Sequence, residues 1–200
     1  MAEGASRGKE LAPNCTISAI QEGRREVIDL QGFYDALFRP GDGLIEFRSL
    51  PSKHCEFVSP GDMAQMRRFI ENHRAENVYF GIAARKDKTS GRLKNCSVIR
   101  CLFADLDFKL FESEAEAWQS LEGFPLKPSM TVHSGGGLHC YWLLAEPMDL
   151  QARAGDCKKL LRSIARAIGA DLSSAEPAHI LRVPQSFNYK YDPPREVRLV

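Results

Sequence analysis

The sequence predicts an α+β domain with a mixed or antiparallel sheet and flanking helices. Short apolar stretches typical of strands interleave with stretches of helical periodicity. Several strand-like stretches follow one another through short turns, which favours hairpins over the crossovers of a doubly wound parallel sheet. The 200 residues are 44% hydrophobic and 26% charged, an ordinary globular proportion, so one hydrophobic core is sufficient.

Charge and hydropathy exclude several classes of protein. The chain carries 27 Lys and Arg against 26 Asp and Glu, so any contact with nucleic acid must be a local basic patch. No apolar run approaches the ~20 residues of a membrane span, and the N-terminus lacks the apolar segment of a secretory signal. The six cysteines are scattered, as expected of reduced thiols. We therefore expect a cytoplasmic protein without membrane association.

The first part of the chain predicts a leader, a helix, a hairpin and a second helix. Residues 1–25 show no clear period and are expected to form a flexible leader. Residues 29–38 have apolar residues at helical spacing behind a capping aspartate. Residues 43–48 and 55–58 are strand-like on either side of a turn, and a second capped helix runs from 63 to 75.

The rest of the chain continues the alternation of strands and helices. A polar, lysine-rich loop at 85–95 separates the first two strands, and a glycine turn joins the next two. Gly169 is a C-cap signal behind the last helix. The chain ends in a strand-like segment, as expected of a fragment of a longer protein. Strands are predicted at 77–84, 98–104, 129–133, 138–144, 180–183 and 196–200, and helices at 112–121 and 150–168.

Two carboxylates follow the apolar strand-like segment 98–104. Asp105 and Asp107 are two residues apart, and the period of a strand places both on one face. Like charges on one face repel each other unless a cation lies between them, and oxygen ligands suit Mg²⁺ or Mn²⁺. The pair therefore predicts a metal site, with a solvated strand edge as the alternative.

A glycine-rich turn lies between two histidines, His133 and His139. Ser134 is followed by three consecutive glycines, which let backbone amides approach a phosphate closely. The Ser134 hydroxyl and a histidine imidazole beside the turn add hydrogen-bond donors for the same anion. The turn therefore predicts a phosphate site, with a flexible hairpin beside a packed histidine as the alternative.

An acidic loop leads into a third polar segment. Asp171 and Glu176 precede a strand that carries Arg182, and Asn188 and Lys190 follow a turn. A carboxylate, an arginine and a lysine close together would supply a third metal ligand and two phosphate or template contacts. Ordinary charges on a solvated loop are the alternative.

Taken in this order, the three segments resemble the motifs of the archaeo-eukaryotic primase superfamily, in particular the primase-polymerase domains of plasmid, phage and mobile-element replication proteins (the RepB-type primase group). Residues 105–107 match the D-x-D motif of that family, and 134–139 match its S-G-x-G-x-H motif in every fixed position. Residues 182–190 follow its R-x-P-G-[ST]-x-N-x-K motif, except that Gln185 occupies the glycine position. The resemblance covers residues 77–200.

The resemblance implies an RRM-like sheet in a primase-polymerase catalytic domain at 26–200, with template-directed nucleotidyl transfer by a two-metal-ion mechanism. Asp105 and Asp107 would hold two Mg²⁺ or Mn²⁺ ions, which bridge the triphosphate and the attacking 3′-oxygen. The family spacing favours Glu176 over Asp171 as the third carboxylate, and His139 is counted among the catalytic residues. The implied nucleotide-binding residues are Ser134, Gly135, Gly136, Gly137, His139, Arg182, Asn188 and Lys190.

The resemblance also implies partners. These are NTP or dNTP substrates, a single-stranded DNA template with its primer, and a helicase or accessory region elsewhere in the full-length protein. The basic loop offers one place for template contact, with a solvated turn as the alternative. Its basic residues are Arg85, Lys86, Lys88, Arg92 and Lys94.

Two other functions are considered from the sequence. A non-catalytic module that binds single-stranded nucleic acid on an RRM-like sheet would stack bases on exposed aromatics such as Tyr79, Phe80 and Tyr141. Such a module has no need of carboxylates beside a glycine turn. A rolling-circle nuclease needs an H-x-H pair, and His133 and His139 are too far apart to form one on a single strand face.

Overall fold

The computed structural model describes residues 28–200, which form two sheets and four α-helices. The predicted leader at 1–25 lies outside the described residues. Helices and strands interleave along the chain, so the predicted α+β class is confirmed.

Aspartates cap both helices in the first part of the described chain, as the sequence predicts. The Asp29 carboxylate accepts a hydrogen bond from the backbone N–H of Gly32 at 2.8 Å, and Asp62 accepts one from Gln65 at 2.9 Å. Each carboxylate satisfies an amide that the first helical turn leaves without a partner. The elements here are α1 (Leu30–Leu37), β1 (Ile45–Leu50), β2 (Cys55–Val58), α2 (Met63–Asn72) and β3 (Asn77–Gly81).

A long antiparallel ladder organises the second part of the described chain. It runs from the pair Val98–Asp149 to the pair Asp107–Gly137, with one irregularity near Ile99. The elements here are β4 (Val98–Asp107), α3 (Glu114–Gly123), β5 (Met130–His133), β6 (Gly137–Asp149), α4 (Leu150–Ala167), β7 (Ile180–Arg182), β8 (Ser186–Asn188) and β9 (Arg195–Leu199).

The two sheets have the strand orders β2–β1–β3–β7 and β4–β6–β5–β9–β8. Every pair of neighbouring strands between residues 28 and 200 is antiparallel, so of the two predicted arrangements, mixed and antiparallel, both sheets have the antiparallel one. The reason is that α2 joins β2 to β3 and α3 joins β4 to β5, and each pair of strands flanks a third strand that runs the other way. This is the split β-α-β arrangement.

Helix α1 lies between the two sheets and joins their cores. The Phe33 ring contacts Phe80 of the first sheet and Tyr141 of the second edge-to-face, with centroid distances of 5.7 and 5.4 Å. Phe80 and Tyr141 are both fully buried, so the expectation that they are exposed for base stacking is wrong. Tyr79 is the member of that set that reaches the surface in part.

Several strands differ in length from the sequence-based prediction. β4 continues through Asp107 instead of ending at 104, and β6 continues to Asp149. Cross-strand hydrogen bonds along the ladder outweigh the low strand propensity of aspartate. β8 forms where the sequence predicts a turn, because it pairs with β9. Within residues 28–200, no helix combines the length and the apolar character that crossing a membrane requires.

Candidate active site

Asp105 and His139 face each other across the β4–β6 ladder. They are register partners, and Asp105 Oδ1 lies 3.9 Å from His139 Nε2. The imidazole is buried, and its Nδ1 has no hydrogen-bond partner among the described residues. Burial lowers the pKa of His139 to about 3, and the charge of Arg182 acts in the same direction. The ring is therefore neutral at pH 7 and offers hydrogen-bonding capacity to a ligand.

Asp107 and Asp171 lie near enough to Asp105 to affect its ionisation. Burial raises the pKa of Asp105 to about 6, and the charges of Asp107 and Asp171 add to the rise. The Asp171 backbone N–H donates to the Asp105 carbonyl oxygen at 2.9 Å, which holds the acidic loop against β4. Asp107 forms an ion pair with Lys109 at 2.6 Å. Asp105, Asp107 and Asp171 therefore lie close enough at the end of β4 for their charges to interact.

The glycine turn between β5 and β6 has no room for side chains. A Cβ on Gly137 would lie 2.3 Å from the Leu106 carbonyl oxygen in β4, and one on Gly136 would lie 2.2 Å from the Tyr191 hydroxyl. Gly135 has a φ of +83°, which glycine adopts without strain. Because Gly137 is the register partner of Asp107, the turn backbone lies directly beside the carboxylates.

Arg182 and Lys190 supply positive charge to the site. Both charges oppose the rise in the pKa of Asp105, which indicates that they lie close to it. Arg182 is buried in β7, and its Nη1 donates to Asn77 Oδ1 at 2.6 Å. Its guanidinium carbon lies 4.9 Å from the ring centre of Tyr79. These contacts hold Arg182 in a fixed position on the first sheet.

Asn188 joins the third motif to the glycine turn. Its buried side chain donates to the Ser134 carbonyl oxygen at 2.9 Å and accepts a hydrogen bond from the backbone N–H of Lys190 at 3.1 Å. Arg195 adds a second link by donating to the Gly135 carbonyl oxygen at 3.0 Å. The residues of the second and third motifs are therefore brought together, although 54 positions separate Asn188 from Ser134.

Glu176 lies apart from the three aspartates. Its carboxylate forms an ion pair with Lys158 of α4 at 2.6 Å, and 40% of its side chain is exposed. Its charge is absent from those that shift the pKa of Asp105, whereas the charge of Asp171 is among them. Asp171 therefore lies beside Asp105, whereas Glu176 lies at the surface of α4.

Asp105, Asp107 and Asp171 provide an all-oxygen donor set. Carboxylate oxygens are the ligands of Mg²⁺ and Mn²⁺, and a bound cation would relieve the repulsion from Asp107 and Asp171 that adds to the effect of burial on the pKa of Asp105. Among residues 28–200, no three His, Cys, Asp or Glu side chains already form a metal-binding group. The oxygen donors of these side chains suit a hard divalent cation.

Sequence reasoning missed the residues that position the basic groups. Asn77 accepts hydrogen bonds from Arg182 and from the backbone N–H of Tyr189, at 2.6 and 2.9 Å. Tyr191 lies under Arg195, whose guanidinium carbon is 3.8 Å from the ring centre. A polar residue at the start of the strand 77–81 was the one available signal for Asn77.

The basic loop after β3 differs from its prediction at Arg85. This side chain is fully buried, and its Nε and Nη2 donate to Glu46 Oε2 at 3.0 and 2.8 Å. Arg85 is therefore a structural residue, and including it in a template-binding stripe was wrong. The four other basic residues of the loop are exposed: Lys86, Lys88, Arg92 and Lys94.

Comparison with known proteins places this site in a recognised fold. No family model and no curated protein sequence matches the chain. The AEP domain of the cyanophage S-2L primase-polymerase superposes with a TM-score of 0.58 at 15% identity, over 79% of this chain and 80% of that chain. The primase RepB′ superposes with a TM-score of 0.55 at 15% identity, over 86% of this chain and 56% of that chain.

A third solved structure is the catalytic domain of primase RepB′ in complex with initiator DNA. It superposes with a TM-score of 0.52 at 18% identity, over 78% of this chain and 74% of that chain. All three similar structures are primase or primase-polymerase domains, as the motif resemblance predicts. The chain therefore has the fold of the catalytic domains of archaeo-eukaryotic primase-polymerases.

Proposed function

We propose that this chain catalyses template-directed nucleotidyl transfer as a DNA primase or DNA polymerase. The observation that carries the proposal is the placement of Asp105 opposite His139, beside the glycine turn, in the fold of primase-polymerase domains. The complex of the similar RepB′ domain with initiator DNA supports DNA as the nucleic acid. The similarity to a cyanophage protein favours a role in the replication of a phage, plasmid or other mobile element.

The glycine turn and its neighbours would bind the nucleoside triphosphate. The turn backbone lies beside the carboxylates, and the Ser134 hydroxyl and the neutral His139 ring add hydrogen-bonding groups. Arg182 and Lys190 would balance the negative charge of the phosphates. Because Asn188 ties the third motif to Ser134, binding of a triphosphate would use an arrangement that already exists.

Asp105, Asp107 and Asp171 would hold Mg²⁺ or Mn²⁺. Bound divalent ions neutralise charge at the triphosphate and favour ionisation of an attacking 3′-hydroxyl. We assign the third carboxylate to Asp171 rather than Glu176, because the Asp171 backbone contacts Asp105 and Glu176 pairs with Lys158. Asp107 would exchange its ion pair with Lys109 for the metal.

Incorporation of labelled dNTP and NTP on a single-stranded template tests the proposal. The reaction is run with Mg²⁺ or Mn²⁺, with and without a primer, for the wild type and the Asp105→Asn/Asp107→Asn variant. A matched control is Asp156→Asn, which removes an exposed carboxylate on α4. We expect metal-dependent product from the wild type and the control, and none from the double variant.

The outcomes separate the two functions that the sequence left open. Product that persists in the double variant would show that these carboxylates do not carry the chemistry. Template binding without product from the wild type, at any metal concentration, would favour the non-catalytic binding module. The products with each nucleotide also report the sugar preference and the ability to start primers.

A further inference from the structure

A groove of about 670 Å³ opens on the first sheet. Its volume lies within the range of ligand sites in proteins. Arg48 of β1 and three residues of the loop after β3, Lys88, Ser90 and Arg92, line it. These four residues define the basic groove.

The one carboxylate that lines the groove is already neutralised. Glu46 is fully buried, accepts two hydrogen bonds from Arg85, and also forms an ion pair with Arg48. Lys88 and Arg92 form no salt bridge within the described part of the chain. Three basic side chains against one compensated acid leave the groove positively charged.

Ser90 provides an unused polar group in the same groove. Its hydroxyl oxygen is buried and has no hydrogen-bond partner among residues 28–200. The next residue packs directly on the buried ion pair, because a Cβ on Gly91 would lie 2.2 Å from Glu46 Oε2. The loop backbone is therefore held in place, and a ligand with acceptor oxygens would satisfy the hydroxyl.

The register of the first sheet connects the basic groove to the active site. Arg48 lies opposite Tyr79, and Tyr79 lies opposite Arg182, so the three side chains form one cross-strand row on the same face. The row spans two strand spacings, about 10 Å. The Arg182 guanidinium lies over the Tyr79 ring at 4.9 Å and adjoins Asp105. An extended strand that follows the row would lead from the groove to Asp105.

We propose that the basic groove binds the phosphodiester backbone of single-stranded DNA, and that Tyr79 stacks a base where the strand turns toward Asp105. A positively charged groove beside an aromatic platform is the usual composition of sites for single strands. Only the identification of this strand as the template rests on the proposed function. A free nucleoside triphosphate shares the phosphate chemistry and is therefore a separate arm of the test.

Binding of a labelled single-stranded oligonucleotide to the 200-residue chain, measured in EDTA, tests the inference without catalysis. The variant is Lys88→Gln/Arg92→Gln, which leaves the buried ion pair intact. The control is Arg67→Gln/Arg68→Gln, an equal change of charge at exposed residues of α2. Helix α2 packs against Phe47, which faces away from Glu46 and Arg48 because side chains alternate along β1.

We expect the groove variant to bind the oligonucleotide about tenfold or more weakly than the wild type. The slope of log affinity against log salt concentration should become shallower by about 1.4, because each of the two lost phosphate contacts contributes about 0.7. The control keeps both values, and Tyr79→Ala weakens binding without changing the slope. Equal effects of the two charge variants, or no effect, would overturn the inference. So would a loss of dNTP affinity without a loss of oligonucleotide affinity.

The same variants keep the two proposals distinguishable. If the wild type makes no product but the groove variant still loses oligonucleotide affinity, the basic groove stands and the enzymatic function fails. If the wild type makes product and the groove variant binds normally, only the inference fails. Circular dichroism and thermal unfolding of each variant show that the fold is retained.

Discussion

Replacement of Arg85 by methionine is the perturbation that most sharply separates the structure from the sequence-based expectation. In the structure, Arg85 is fully buried and donates two hydrogen bonds to Glu46 and one to the Ala83 carbonyl oxygen at 2.7 Å. Methionine keeps much of the apolar volume and removes every donor. Glu46 then remains buried with Arg48 as its charged partner.

The expected cost follows from these contacts. Two charge-assisted hydrogen bonds are each worth about 1.5–3 kcal/mol, and loss of one partner of a buried ion pair costs about 3–5 kcal/mol. We therefore expect Arg85→Met to lower the free energy of unfolding by about 3–5 kcal/mol, a large part of the stability of a typical domain. Glu46→Gln/Arg85→Met is expected to cost less than the sum of the single changes, with a coupling of about 1–3 kcal/mol.

Urea unfolding followed by circular dichroism measures these differences, with Lys86→Met as the control. Lys86 is exposed and hydrogen bonds to Gln151, so its replacement is expected to change stability by less than about 0.5 kcal/mol. If Arg85→Met costs less than about 1 kcal/mol, the reasoning from the buried ion pair is refuted. A loss of DNA affinity at unchanged stability would instead return Arg85 to the template-binding loop.

Three further predictions concern the candidate site. Gly137→Ala pushes a methyl group against the β4 backbone, so we expect about 1–3 kcal/mol of destabilisation in thermal melts and lost dNTP binding. Asp171→Asn is expected to lower metal-dependent nucleotide incorporation about a hundredfold or more. Glu176→Gln removes a surface ion pair and is expected to change incorporation little. Comparable losses in the two variants would contradict the assignment of the third carboxylate. His139 stays neutral in the folded protein because burial lowers its pKa to about 3. Below pH 6.5 the unfolded chain therefore binds one proton more than the folded protein, and the free energy of unfolding falls as the pH falls toward 3. His139→Phe should flatten this slope in urea titrations done in EDTA, and an unchanged slope would contradict the buried neutral ring.

Local patterns predicted the elements well where neighbouring residues decide the structure. The capping aspartates at 29 and 62 begin α1 and α2 as expected, because a cap needs only amides in the following turn. The glycine turn joins β5 and β6 for a similar reason. The spacing of Asp105 and Asp107 placed both on one face of β4, since side chains alternate along a strand.

The proposed third carboxylate is a position for which spacing along the chain and the contacts of the fold favour different residues. Spacing along the chain favoured Glu176, but Asp171 hydrogen bonds to the β4 backbone while Glu176 turns to Lys158. Both residues are acidic loop residues of the same chemistry, so composition does not distinguish them. The packing of the loop between β4 and α4 favours Asp171.

The amino-acid sequence by itself determined the α+β class, the caps, the glycine turn and the order of the three motifs. Only the tertiary structure decided that all strand pairs of the described chain are antiparallel, that Arg85 is buried, and that Arg48, Tyr79 and Arg182 form one row. The physical reason is the separation in sequence between the residues that interact. Caps and turns depend on amides a few residues away, whereas sheet register and ion-pair burial depend on segments far apart in sequence that meet only when the whole core forms.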